Sequence, residues 1–213
     1  MRIVCVSDTH RQHRAVEIPE GDLLIYAGDI ACARESEPIL TQDFNEWLAY
    51  LPCKWKVVIA GNHDAFFEKE PKLARSTITN AFYLENNSIE IEGMKIWGSP
   101  YTPFFCDWSF GATVKEIDKI WQGIPEDTNI LVTHGPPFGI LDILSHPQLD
   151  IDGMYTWSGG CHRLRERLLL LKEVKLHVFG HIHEGYGKRD IYVNASIVDE
   201  NYRLKNKPIV VNI

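Results

Sequence analysis

Five times along this chain of 213 residues, a short apolar run stops abruptly at a cluster of aspartate, asparagine or histidine. Ile3–Val6 leads into Asp8 and His10, and Leu23–Ala27 into Gly28 and Asp29. Val57–Ala60 leads into Gly61, Asn62, His63 and Asp64, Ile130–Val132 into His134, and Leu176–Phe179 into Gly180, His181 and His183. Runs of about four to six Val, Ile and Leu residues carry the signature of strands buried on both faces. Between them lie stretches of helical period. Phe44, Trp47, Leu48 and Leu51 fall on one helical stripe, as do Val114, Ile117, Ile120 and Trp121, and Leu164, Leu168 and Leu171. Strands alternating with helices predict an α/β fold with a largely parallel core. Ile89–Trp97 instead reads as a hairpin turning near Gly93, so the sheet is expected to be mixed. In open α/β sheets, ligands bind outside the carboxyl ends of the strands. All five polar clusters sit at that end, which gathers residues 8 to 183 into one place.

The length predicts a single domain over residues 1–213, burying about 70% of its unfolded surface without staples. A metal here would therefore be catalytic rather than structural. A net charge of −7 argues against a duplex nucleic-acid partner. It does not argue against a small phosphorylated substrate, because divalent ions reverse the local field. The cysteines, Cys5, Cys32, Cys53, Cys106 and Cys161, are odd in number and form no C-x-x-C pair, as expected of free thiols in a reducing compartment. Met1–Val6 runs straight into Ser7 and Asp8, with no signal-like apolar region, and no apolar run is long enough to cross a bilayer. A cytoplasmic protein without membrane partners is expected.

The clusters together offer Asp8, His10, Asp29, Asn62, His63, His134, His181 and His183. Carboxylate, imidazole and amide oxygen without thiolate suit Mn, Fe, Zn or Ni. These groups are too many for one ion, but two ions about 3.5–4 Å apart that share a carboxylate would use them well. Asp8 and His10, like His181 and His183, lie two apart past a strand, so each pair can face one way. Glycines at 28, 61, 135 and 180 permit sharp turns and close backbone approach. Alone, D-x-H or Gly-Asp is an ordinary turn, and Gly-His-Ile-His is the more suggestive. The five in order, each ending a buried-type strand, are not ordinary turns.

The ordered set D-x-H, G-D, G-N-H-D, H-G and G-H-x-H resembles the calcineurin-like metallophosphoesterase superfamily over residues 8 to 183. Gly98–Pro103, Thr133–Pro137 and His177–Gly187 are similar to the small brain-type metallophosphoesterase-domain subgroup, itself similar to class III cyclic nucleotide phosphodiesterases. The resemblance implies a sandwich of two mixed sheets flanked by helices. It implies that Asp8, His10 and His183 bind one metal, that Asn62, His134 and His181 bind a second, and that Asp29 bridges the two. The metals it implies are Mn or Fe, with Zn or Ni as alternatives. His63 matches the family's catalytic histidine, which binds no metal and would give the leaving alkoxide its proton. Hydroxide from a water between the ions would attack phosphorus in line. Some members of the subgroup lack the first histidine of G-H-x-H; His181 is present here. Phosphoprotein phosphatases of the superfamily extend the second motif to G-D-x-x-D-R-G, whereas this chain reads Gly28-Asp29-Ile30-Ala31-Cys32-Ala33-Arg34, which speaks against phosphoprotein substrates. The expected activity is hydrolysis of a small phosphodiester, a cyclic nucleotide by resemblance. The alternatives are phosphomonoester or small-oligonucleotide hydrolysis, or a binding scaffold on the same fold.

Other features are less specific. The segment Trp97–Phe110 holds six aromatic residues, readable as a loop that stacks on a nucleobase or as a hydrophobic flap or homodimer contact. Arg163, Arg165 and Arg167 read as a solvated helix face, with phosphate contact the alternative. His13, His146, His162 and His177 carry no motif, and Asp64 is a candidate to orient His63.

Overall fold

A computed structural model describes residues 1–32, 38–149 and 154–213. Each of the five apolar runs is a strand. β1 (Arg2–Val6), β2 (Gly21–Ala27) and β3 (Cys53–Ile59) lie side by side and parallel, with α1 (Pro38–Ala49) between β2 and β3 in the chain. After β3 come α2 (Ala65–Lys69), α3 (Pro71–Thr77) and the short β4 (Phe82–Tyr83). β5 (Asn87–Ile91) and β6 (Met94–Ser99) form the expected hairpin, with Glu92 and Gly93 at its turn both at positive φ. β7 (Thr102–Pro103) pairs with β8 (Gly111–Ala112), ahead of α4 (Val114–Gln122) and β9 (Ile130–Thr133). β10 (Ile143–Leu149) pairs with β11 (Tyr155–Ser158) before α5 (His162–Leu168) and β12 (Leu176–Phe179). The chain then runs through β13 (Gly187–Arg189), β14 (Tyr192–Asn194) and β15 (Ile209–Asn212).

The strands make two large sheets, ordered β15-β1-β2-β3-β4 and β13-β14-β12-β9-β6-β5. Both are mixed: parallel inside, with antiparallel β15 closing the first and β13 and β5 closing the second. Successive side chains of a strand point to opposite faces, and here both faces are buried. Ile3, Cys5, Leu23, Ile25, Val57 and Ile59 meet Ile96, Ile130, Val132, Leu176 and Val178 of the second sheet. The alternate residues Val4, Val6, Leu24, Tyr26 and Val58 meet Phe44, Trp47 and Leu48 of α1. On the far side, Trp97 and Leu131 pack on Ile117 and Trp121 of α4 and on Leu164 and Leu168 of α5. This double burial is why the runs read as continuously apolar rather than alternating.

The helical stripes overran the helices. Leu51 lies beyond α1 because it precedes Pro52, whose ring disfavours helical backbone at that position. Leu171 lies beyond α5, and Val114 opens α4 with 40% of its surface exposed. Thr113 starts that helix instead, in a reciprocal capping box with Glu116. Among the described residues, no helix is long and apolar enough to cross a membrane.

Candidate metal centre

β1, β2 and β3 run parallel in one sheet and β9 and β12 in the other, and the loops that follow them meet at one edge of the sandwich. Backbone bonds lock these loops together. The Asp8, His10 and Arg11 amides donate to the carbonyls of Gly28 (2.9 Å), Asp29 (3.2 Å) and Ile30 (2.8 Å), and the Gly180 amide to that of His134 (2.9 Å). Asp8, His10, Asp29 and His181 all hold left-handed backbone, with φ of 54°, 42°, 59° and 68°. Such strain costs about 1–3 kcal/mol at each residue and persists only where surrounding bonds dictate it. Gly28 has φ of 99°, and a β-carbon there would stand 2.6 Å from both the Ala60 carbonyl oxygen and His134 Nδ1. One at Gly180 would collide with the Asp8 carboxylate.

Asp64, a candidate to orient His63, is taken up by backbone amides. Its carboxylate accepts backbone N–H bonds from Gly61 (2.8 Å), Asp29 (3.0 Å), Ile30 (3.2 Å) and Ala31 (2.8 Å), stitching the loop after β3 to the loop after β2. It thereby fixes where Asp29 stands.

All eight polar side chains singled out from the sequence meet in this one cluster, centred on Asp29. The Asp29 carboxylate lies 3.7 Å from His10 Nε2, 3.8 Å from His63 Nε2 and 3.3 Å from His134 Nε2. Asp8 lies 3.8 Å from His183 Nε2 and is held by the Ser196 hydroxyl (2.7 Å) and the His181 amide (3.1 Å). Asn62 Oδ1 is 2.8 Å from His134 Nε2 and 2.7 Å from His181 Nδ1. Potential ligand atoms group as Asp8, His10 and His183, as Asp8, Asp29 and His134, and as His10, Asp29 and His63, each set within 4.8 Å.

The donor set suits metal ions. Nδ1 of His10, His134 and His183 each lies on a backbone carbonyl, that of Ala31 (2.9 Å), Ala27 (2.9 Å) and Asp199 (3.0 Å). A carbonyl only accepts, so these Nδ1 atoms carry the hydrogen, and a neutral ring turns the Nε2 lone pair into the cluster. His10 Nε2 and His183 Nε2 lie 3.2 Å apart, a spacing at which both could serve one cation. Burial pushes His10 down to about 4, against Asp29 and Asp8, and burial with His134 nearby pushes His181 to about 3. Both rings are therefore neutral and ready to coordinate. Burial opposes charge on His134, but the Asp29 and Asp8 carboxylates and the Ala27 carbonyl together raise His134 to about 9. A positive charge is wanted at that point, and a metal ion would supply it in place of the proton.

The calcineurin-like phosphoesterase profile matches residues 1–185. The chain belongs to that family. Metallophosphoesterase domain-containing protein 1 of Homo sapiens and that of Mus musculus are each 37% identical to it, over the whole of this chain and 71% of theirs. A solved crystal structure with 14% identity shares the fold at a TM-score of 0.62, covering 91% of this chain and 89% of that one.

In this calcineurin-like chain, three contributors to the centre escaped the sequence reading. Ser196 holds Asp8, the Asp199 carbonyl holds His183, and the Tyr202 ring packs 4.7 Å from His10 and 5.3 Å from His183. None sits in a recurrent motif; the polar Asn194-Ala195-Ser196 ending β14 was the only available signal. The aromatic segment divides. Trp97 and Phe110 are core residues, Phe104 and Phe105 are exposed, and Trp108 packs on His63 at 4.4 Å. His13 pairs with Asp43 (2.9 Å), His162 stacks on Phe138, and buried His177 meets the Thr133 hydroxyl (2.8 Å) behind the His134 turn. Arg163 pairs with Glu166 on the helix surface, and Arg167 donates to the Ile124 carbonyl. The free cysteines are Cys5, Cys53 and Cys161, which are buried, half-buried Cys32 and exposed Cys106. Ala33 and Arg34 of the second motif lie outside the described residues.

Proposed function

We propose that this protein is a two-metal phosphodiesterase acting on a small substrate, a cyclic nucleotide by resemblance to class III cyclic nucleotide phosphodiesterases. Convergence on Asp29 carries the reading: a buried carboxylate with three imidazoles within 3.8 Å, flanked by Asp8 with His183 and by Asn62 with His181. Asp8, His10 and His183 would hold one ion, Asn62, His134 and His181 the other, and Asp29 would bridge. The metals proposed are Mn or Fe, with Zn or Ni as alternatives. Bound there, they would lower the pKa of a shared water towards about 7 and neutralise charge on the phosphoryl oxygens.

The chain's own groups supply the rest. His10, His134 and His183 are aimed by carbonyls, which raises their basicity as ligands. Ser196 and the His181 amide fix the Asp8 carboxylate. His63, whose ring also groups with His10 and Asp29, lies outside both proposed ligand sets, and its backbone amide donates to Asp29 at 2.9 Å. Its ring is the proton donor to the leaving oxygen, a contribution of about 10²–10⁴ in rate. A net charge of −7 supports a small substrate over duplex nucleic acid, and a reducing cytoplasmic setting suits the free thiols.

The test is to strip the protein of metal, reload it with Mn²⁺, and compare a chromogenic phosphodiester with the matching monoester. Metal-dependent turnover favouring the diester supports the reading. A preference for the monoester replaces it with a phosphatase, and two bound ions with neither activity leave a binding scaffold.

A further inference from the structure

Tyr202 lies beyond residues 1–185, the span shared with the family profile, yet its ring stands among the cluster histidines. The centroid distances are 4.7 Å to His10, 5.3 Å to His183 and 6.0 Å to His63, with 45% of the residue still exposed. The turn that carries it is tightly specified. The Asp199 carboxylate accepts from the amides of Asn201 (2.9 Å) and Arg203 (3.0 Å), Val198 bridges to Leu204, and Tyr202 holds φ of 61°. Gln12, two residues past His10, donates to the Tyr202 carbonyl at 2.9 Å. One oxygen, the Asp199 carbonyl, accepts both His183 Nδ1–H (3.0 Å) and the Tyr202 amide (2.9 Å), so ligand and tyrosine share an anchor.

Trp108 reaches the same histidine from a different part of the chain. It lies 4.4 Å from His63, and its loop is pinned by the Phe110 amide donating to Glu68 of α2, the helix that follows His63 (2.9 Å).

We propose that Tyr202 and Trp108 are specificity-determining residues that select phosphoryl compounds whose leaving group carries a flat aromatic ring. The inference rests on the reading of His63 as proton donor. A leaving oxygen that takes a proton from His63 sits within about 3 Å of it. The group attached to that oxygen must then pass the two rings that pack on His63. A flat ring gains stacking on them, worth on the order of tenfold in binding, whereas a small alkyl group gains little.

Phenylphosphonate and methylphosphonate test this directly, because neither has an ester bond to cleave. Calorimetry on Mn²⁺-reloaded protein gives the ratio of their dissociation constants. The wild type is expected to favour phenylphosphonate about tenfold, Tyr202→Phe to keep that ratio, and Tyr202→Leu and Trp108→Leu each to lower it at least about threefold. A wild-type ratio near one, or a ratio unchanged in both leucine variants, overturns the proposal. A leucine variant that loses methylphosphonate as well marks its ring as a support of the centre, which overturns the proposal for that residue. Failure of the phosphodiesterase reading looks different: no Mn²⁺-dependent diester turnover, with selectivity for phenylphosphonate intact.

Discussion

The loops that end the parallel strands and the aromatic loops beside them both border the cluster, but they are built differently. The strand-end loops are laced by backbone bonds, by the four N–H groups on Asp64 and by glycines that nothing larger could replace. The loops bearing Trp108 and Tyr202 are fixed by their own turns and by carboxylate anchors, Glu68 and Asp199, yet leave Phe104, Phe105 and Tyr202 partly in solvent. Rigid construction belongs where lone pairs must converge on ions within tenths of an ångström. Partial exposure belongs where the contact is the face of a ring left open to a ligand.

That contrast ranks the expected effects. Asp29→Ala removes the shared carboxylate, so bound metal should fall and kcat/KM should drop below about 10⁻⁴ of wild type, measured with metal analysis beside turnover. His63→Ala should keep its metals and lose about 10²–10⁴ in rate on substrates with poor leaving groups, with far less lost on nitrophenyl esters. Equal losses on both substrates would remove His63 from the proton-donor role. Metal uptake must displace the proton that Asp29 holds on His134 up to about 9. Affinity for the ion should therefore rise with pH towards 9 and fall below it, by up to about tenfold per unit, and calorimetry in buffers of different ionisation enthalpy would register the released proton. Asp64→Ala strands four amides at the centre of the laced loops. A cost of about 2–4 kcal/mol should lower the melting temperature of the metal-free protein by about 4–16 °C. Asp199→Ala loosens the turn that carries both the Tyr202 ring and the carbonyl on His183, so phenylphosphonate should bind about two- to fivefold more weakly, with metal content measured beside it.

The same contrast explains what the sequence disclosed. A strand buried on both faces must be apolar throughout, and a parallel sheet puts all carboxyl ends on one edge. Asp8 and His183 could therefore be brought together on paper across 175 residues of chain. The hairpin at Gly93 and the mixed sheets were legible for similar reasons. Tyr202 was not, because its place depends on a left-handed turn and on contacts with residues 10 to 12, nearly the whole chain away. The role of Asp64 was open on paper; only the path of the loop after β2 reveals three of the four amides that it binds. The aromatic segment had one composition but three environments, because side-chain burial there follows the β7–β8 pairing rather than any period.

Titrating metal-stripped protein with Mn²⁺, at protein concentrations well above the dissociation constants, tests the central claim most directly. Diesterase activity should stay low through the first equivalent and saturate at two ions per chain, with Asp29→Ala flat throughout. Saturation at a single equivalent, or full activity without added metal, would contradict a centre built around a shared aspartate.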